Sequence, residues 1–374
     1  MRRRRLSVLV LTAALTSLLA ACSSSSSPTE PSALSRPGPY PVGVTTLDLG
    51  SAGQYGERLA TVFYPAGAST LTGHALFSYK LAAPLPQALV AIVPARYNPT
   101  ITVDAHVDAP GARSGPFPIV LFSHGFGASR LYYSHLLTGI ASWGFVVVSA
   151  DYLERGLLAQ VTHPVTADTP AQDLRTMFSS LSATEKASSQ PSSPLYRVAD
   201  AHKVAAIGHS AGGQTAFDAL DDPRVAFAVG WAPVGPAGAP SHKPVMIIGE
   251  QQDVALTPAT LTGEFHKFPG PTKFVEISGE GHNTYTDICT SIRQGNGGLV
   301  GFAISLHLVS QELAKLAVNG CTTKNLPPQR FWPVVQYYTV AQLRSGFHMG
   351  PAATIGLPPR GLFPGLAVTY RQHA

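Results

Sequence analysis

The chain has 374 residues, 45% of them hydrophobic and 13% charged, with a formal net charge of +5. The length allows one large α/β domain, or two small ones, with a buried core. The charged share is about half the usual quarter, which excludes disorder driven by high charge and low hydrophobicity for the bulk of the chain. The excess of 26 Lys+Arg over 21 Asp+Glu raises the question of nucleic acid, but four of those cations are Arg2 to Arg5. The others are scattered, with no basic stripe interleaved with aromatics, so no nucleic-acid partner is expected.

The four arginines precede an apolar run, Leu6 to Ala21. Such a run is short for a membrane span of about 20 residues, and its flanks are those of a secretory signal covering residues 1–21. It ends Leu19-Ala20-Ala21-Cys22, which resembles the bacterial lipobox, in which the Cys is lipidated and becomes the first residue. The alternative is an ordinary signal peptide with a chance Cys, and a secreted product. Ser23 to Ser27 and the Pro/Ser-rich stretch to Pro39 read as a flexible tether over residues 22–39. The expected location is therefore extracytoplasmic, on a membrane, through an N-terminal lipid anchor. Without residues 1–21, 22 cations face 21 anions, so the basic balance belongs to the export signal. With Cys22 taking lipid, Cys289 and Cys321 remain, and in this compartment they read as a disulfide, with two free buried thiols as the alternative.

From Tyr40 short apolar runs alternate with helical patterns. Strands are predicted at Leu59–Tyr64, Pro118–Ser123, Phe145–Ala150, Lys203–Gly208, Val225–Val229, Pro244–Ile248 and Lys273–Ile277. Helices are predicted at Ser129–Ser142, Pro170–Leu181 (capped by Asp168 or Thr169), Ala211–Leu220, Pro258–His266, Leu299–Val318 and Val334–Arg344. This alternation implies an α/β fold with a mostly parallel sheet flanked by helices, as a single domain over residues 40–349. Residues 74–114 and 156–194 break the rhythm and read as insertions, and the Pro/Gly-rich residues 350–374 carry no assignment.

Gly208-His209-Ser210-Ala211-Gly212 matches G-x-S-x-G, with an apolar strand running in and a helix running out. That is the context of a nucleophile elbow, which strains the Ser backbone and projects its hydroxyl above the sheet. A serine hydroxyl needs a base, expected later in the order Ser–acid–His. His282, in Gly279-Glu280-Gly281-His282 just past a late strand, fits; His242, His266 and His307 lie before a strand or in helical patterns. The acid belongs after the preceding strand, where Asp253 is the candidate and Glu250 the rival. It would hold the His tautomer and stabilise the imidazolium. An oxyanion hole needs two backbone N–H donors: Ala211, after the nucleophile, and Phe126 in the loop Ser123-His124-Gly125-Phe126-Gly127.

These residues resemble the α/β-hydrolase superfamily. Pro41-Val42-Gly43 leading to Phe63-Tyr64-Pro65, the loop Phe122 to Gly127, and Gly281-His282 followed by Tyr285-Thr286-Asp287 look most like three branches of it. These are the platelet-activating-factor acetylhydrolase, cutinase-like polyester hydrolase and dienelactone hydrolase branches. The resemblance covers roughly residues 40–344. It implies a serine ester hydrolase without a metal or other cofactor, with Ser210, Asp253 and His282 as triad and Phe126 and Ala211 as oxyanion donors. The substrate is expected to be a small-molecule, lipid or polymer ester, with a lipase or phospholipase acting on membrane lipid as the alternative. A non-catalytic binding lipoprotein on the same scaffold is a third reading. Oligomeric state is left open.

Two further patterns stand apart. In Asp104-Ala105-His106-Val107-Asp108 the three polar residues alternate, so on a strand they would share one face, where they could bind a divalent metal or simply be exposed. Tyr132, Tyr133, Trp143 and Trp231 could line an acyl pocket or pack the core; Trp231, just past a strand end, is the candidate to face the cleft.

Overall fold

Apolar runs buried on both faces must pair with one another, and here they form one sheet. The computed structural model describes residues 31–162, 169–293, 297–350 and 355–374; residues 1–21 and Cys22 lie outside these. The strands are β1 (Val42–Ser51), β2 (Glu57–Pro65), β3 (Leu76–Lys80), β4 (Thr100–Val107), β5 (Phe117–Ser123), β6 (Val146–Ala150), β7 (Ala199–His209), β8 (Val225–Trp231), β9 (Val245–Glu250), β10 (Thr272–Ile277) and β11 (Val368–His373). The helices are α1 (Gln87–Ile92), α2 (Ser134–Ala141), α3 (Leu157–Thr162), α4 (Pro170–Ser189), α5 (Ala211–Asp218), α6 (Pro258–Lys267), α7 (Ile288–Arg293), α8 (Gly298–Ser305), α9 (Gln311–Val318) and α10 (Pro328–Gly346).

The order across the sheet is β11-β10-β9-β8-β7-β5-β6-β2-β1-β4-β3. From β6 to β10 the strands are parallel. β2 runs antiparallel to both β1 and β6, and β11 antiparallel to β10. Every residue of β5, β6 and β9 is buried, as a sheet covered on both faces requires. The period of two sorts the side chains. Val120, Phe122, Ile207, Val229 and Ile248 pack with α2 and α10, while Ile119, Leu121, Ala206, Ala228 and Ile247 pack with α4, α5 and α6.

Local signals explain most boundaries. Thr169 caps α4 in a reciprocal box with Gln172, with Pro170 in the first turn. Asp168, the other candidate cap, lies outside the described residues. α4 runs on to Ser189, beyond the predicted Leu181, because Thr184 and Ala187 extend its buried face. The helix expected over Leu299–Val318 is two, α8 and α9. His307 takes a left-handed φ of 57° between them, and Ser310 caps α9 by accepting from Leu313 N–H. Apolar periodicity continues across this break, so it hides the turn.

Two tertiary features add to or depart from the expected layout, and a third fills the stretch that carried no assignment. Residues 31–39 do not form a free tether. Pro31–Ser35 is a 3-10 turn, Leu34 is buried, and Arg36 O accepts from Trp143 Nε1 at 2.9 Å. Gln336 Nε2 donates to Leu34 O at 3.1 Å, and Tyr40 N–H to Ser142 O at 3.1 Å. Residues 74–114 extend the sheet, since β4 pairs parallel to β1 and β3 antiparallel to β4. Along β4 the burial alternates; Asp104 is exposed, His106 Nδ1 lies 3.1 Å from His74 O, and Asp108 sits past the strand end. Residues 355–374 return to the sheet through β11, with Phe363 buried.

Cys289 and Cys321 form a disulfide that joins α7 to the end of α9, inside a small cluster with Ile292, Val300 and Ala314. Closing this loop, with a sequence separation of 32, stabilises by about 3–4 kcal/mol in the chain-entropy model. The Cys289→Ser/Cys321→Ser protein is expected to melt several degrees lower. Its amide exchange should rise first over α7–α9, leaving β5–β9 protected. Uniform loss of protection across the sheet would contradict a local role.

Candidate active site

β7 ends at His209 and α5 begins at Ala211, so Ser210 alone makes the turn. Its backbone sits at φ 56° and ψ −121°, a left-handed conformation that costs a non-Gly residue about 1–3 kcal/mol. Close packing enforces it. A Cβ on Gly208 would lie 1.8 Å from Gly212 O, and one on Gly212 would lie 2.0 Å from Ser123 O. Ser210 N–H donates to Trp231 O at 3.0 Å, and Val234 N–H to Ser210 O at 2.9 Å. These bonds tie the turn to the end of β8.

His282 stands over this serine. Its Nε2 is 2.9 Å from Ser210 Oγ and its Nδ1 2.7 Å from Asp253 Oδ2. Asp253 Oδ1 accepts from Ala255 N–H at 2.7 Å and Leu256 N–H at 2.8 Å. Both carboxylate oxygens are thus engaged, so Nδ1 carries the proton and Nε2 is left to accept from the serine hydroxyl. His282 and Asp253 are buried. The rival acid, Glu250, is also buried but accepts from the Tyr285 hydroxyl instead. Burial, with Asp253 and Glu280 adding to it, holds the Glu250 carboxyl well above the usual range. Glu250 is thus engaged by Tyr285, while the ring of His282 meets Asp253.

The loop after β5 lies beside the serine. Gly125 N–H donates to Tyr133 Oη at 3.3 Å, Gly127 N–H to Arg155 O at 2.8 Å, and Ala128 N–H to Gly125 O at 3.2 Å. Phe126 and Ala211 N–H enter none of the turn and loop hydrogen bonds among the described residues. The loop is held from below by Arg155, which donates to Ser123 Oγ at 2.7 Å and His124 O at 3.0 Å while pairing with Asp173. His124 Nε2 accepts from Tyr152 N–H at 3.0 Å, so its Nδ1–H donates to Gly125 O at 2.9 Å. Burial, then the Arg155 charge, push its pKa down to about 3, so this ring stays neutral.

Ser210 and His282 open into an apolar cleft of about 1030 Å³, including its open mouth. Leu85, Leu89, Ile92 and Val93 wall it from one side, and Leu299, Phe302, Leu313 and Leu316 from another. Among the described residues no Asp, Glu, Lys or Arg lines it. Tyr132 and Tyr133 do line it. Trp231 does not: it is fully buried, stacked parallel to Tyr285 at 5.6 Å, and donates from Nε1 to Thr339 Oγ1 at 3.0 Å. The expectation that it faces the substrate is corrected, because its strand end turns inward under α10. Trp143 is likewise core.

One residue escapes any motif. Asn319 Oδ1 accepts from His282 N–H at 2.7 Å and Val254 N–H at 3.3 Å, and its Nδ2 donates to Gln252 O at 3.0 Å. It joins the acid loop to the base loop from a position two residues before Cys321. No local signal marks it, since its partners are distant in sequence.

Known proteins resemble this chain in sequence and in fold. A family model described as Chlorophyllase matches residues 90–230. The chain is 23% identical over 344 residues to the platelet-activating factor acetylhydrolase of Cavia porcellus, covering 75% of this chain and 74% of that protein. The solved structure of a ferulic acid esterase from Streptomyces cinnamoneus aligns with a TM-score of 0.60 at 20% identity, covering 88% of this chain and 96% of that one.

The base loop also carries a titrating acid. Glu280 Oε1 accepts from Leu326 N–H at 3.0 Å and Oε2 from Thr284 Oγ1 at 3.2 Å, yet burial pushes its pKa up to about 7. The fold therefore holds this proton more tightly than the unfolded chain does. The associated stability is full below about 4.5 and is lost as pH rises through about 7. Glu280→Gln should leave Tm nearly unchanged at pH 5 and raise it relative to the parent at pH 8. An equal Tm difference at both pH values would contradict the shift.

Proposed function

We propose that this α/β-hydrolase is a serine carboxylic-ester hydrolase. The observation that carries the reading is the continuous Asp253–His282–Ser210 hydrogen-bond chain at the floor of an apolar cleft. Ser210 Oγ attacks the ester carbonyl while His282 Nε2 takes its proton, and Asp253 stabilises the imidazolium. Phe126 and Ala211 N–H receive the developing oxyanion. His282 then protonates the departing alcohol, and a water activated by the same ring releases the acid from the acyl-enzyme. The names of the relatives, an acetylhydrolase and an esterase, support the same class.

The cleft supports an uncharged, apolar ester, because a charged group would lose hydration there without a partner. Exposed Ile92, Phe126, Ile304 and Leu306 add apolar surface on the loops and helices that bound it. This favours an amphiphilic or lipid ester over a small polar one. An extracytoplasmic site of action, with the chain anchored through a lipidated Cys22, is part of the proposal; the Cys289–Cys321 disulfide supports an oxidising compartment.

Ser210→Ala is expected to abolish both turnover of short p-nitrophenyl esters and labelling by a fluorophosphonate probe, with an unchanged circular dichroism spectrum. Retained turnover would sink the assignment, and a parent protein that ignores the probe would instead favour a binding lipoprotein. Asp253→Asn should lower kcat by about 10³–10⁴-fold. Glu250→Gln should cost less than tenfold, since Glu250 bonds Tyr285 and not His282. The reverse ranking would reassign the acid.

A further inference from the structure

We propose that Tyr133 and His209 form a one-way hydrogen-bond relay that fixes the main-chain carbonyl of His282, and that both are positioning residues for the base. The inference rests on the reading of His282 as the base. It concerns the residue before the nucleophile, which the elbow motif leaves unspecified.

The relay begins and ends on groups with only one possible role. Gly125 N–H can only donate, and it points at Tyr133 Oη at 3.3 Å. The carbonyl of His282 can only accept, and it lies 2.9 Å from His209 Nε2. Between them, Tyr133 Oη is 2.8 Å from His209 Nδ1. His209 must therefore carry its proton on Nε2, and the single Tyr133 proton must go to Nδ1. A neutral ring satisfies every atom. The opposite tautomer would set the Nε2 lone pair against the His282 carbonyl, two acceptors facing each other.

The placement bears on the reaction. The relay links the oxyanion loop at Gly125, the elbow at His209 and the base loop at His282, the three segments that meet at the ester carbon. The His209 and His282 rings lie 4.8 Å apart, and His209 also packs on Tyr285 at 5.0 Å. His282 becomes cationic when it takes the serine proton, so a second imidazolium beside it would oppose that step. Burial first, and then the neighbouring His282, keep His209 far below the usual histidine range. The relay thus supplies two things to His282: a fixed carbonyl, and a neighbour that remains uncharged.

His209→Phe keeps an aromatic ring in the packing and removes both hydrogen bonds. It is expected to lower kcat about tenfold or more with KM changed less than about threefold, while Tyr133→Phe lowers kcat by a smaller factor. The double variant should be no slower than His209→Phe alone, since the relay is already broken. His209→Gln, whose amide can donate near the Nε2 position, should recover much of the loss. Selective ¹⁵N-histidine NMR of the Ser210→Ala protein supplies a readout independent of turnover. His209 should show the Nε2-protonated tautomer without titrating between pH 5 and pH 8, and Tyr133→Phe should perturb that signal. A folded His209→Phe protein with kcat within twofold of the parent, losses that multiply in the double variant, or an Nδ1-protonated His209 would each overturn the relay. If His209→Phe fails to fold, Tyr133→Phe and the NMR tautomer decide. Turnover surviving in Ser210→Ala would overturn the function reading instead, and the tautomer would still decide the relay.

Discussion

The strained turn at Ser210 is the constraint from which the rest of the site follows. A serine held at φ 56° stores about 1–3 kcal/mol, and it persists only because its surroundings leave no other path. β7 delivers the chain from the middle of a buried parallel sheet, and α5 leaves at once through Gly212 and Gly213, whose missing side chains admit Ser123 O and Pro233. The hydrogen bonds from Ser210 N–H to Trp231 O and from Val234 N–H to Ser210 O then tie the turn to β8. The hydroxyl is left above the carboxyl ends of the strands, where the loops after β5, β9 and β10 converge.

Those loops must bring several polar groups out of water beneath an apolar cleft, which is costly unless each is partnered. The structure meets that cost by assigning nearly every donor to one acceptor. Arg155 and Asp173 neutralise one another under the oxyanion loop, and the same guanidinium reaches Ser123 Oγ and His124 O. Burial, the leading cause in each case, holds the pKa of His124 and His209 down and that of Glu250 up, away from the charged form. Asp253 keeps two backbone donors on the oxygen that does not face His282. Polar satisfaction here specifies geometry, since each ring has one tautomer that fits.

The walls of the cleft come from elsewhere in the chain. α1 belongs to the segment that extends the sheet through β3 and β4, and α8 and α9 belong to the disulfide-closed segment between β10 and α10. The second wall is not separate from the chemistry. Asn319, at the end of α9, holds both the acid loop and the base loop, and Asp287 at the start of α7 binds Tyr79 at 2.8 Å and His135 at 2.8 Å. Movement of the wall would therefore be felt at His282. In the proposed mechanism, substrate access and positioning of the base share the same short helices.

The sequence by itself determined the parallel sheet, the elbow and the chain order of Ser210, Asp253 and His282, because each depends on short-range patterns. Continuous apolar runs mark buried strands, glycines mark the tight turn, and a Gly-His turn after a late strand marks the base. It left Glu250 as a rival to Asp253, since three residues of separation cannot show which carboxyl turns toward His282. Only the tertiary structure decided that: the Tyr285 hydroxyl occupies Glu250, and two N–H groups orient Asp253. The same holds for Trp231, which α10 and Tyr285 draw into the core, and for Leu34 and Arg36, which dock through partners about 300 and 100 residues away. The bonds from Asn319 to His282, from Tyr133 to His209 and from His209 to His282 span 37 to 76 residues in sequence. Such contacts carry no local periodicity. They are set by the folding of the whole chain, because only there do the donor and acceptor lose water together.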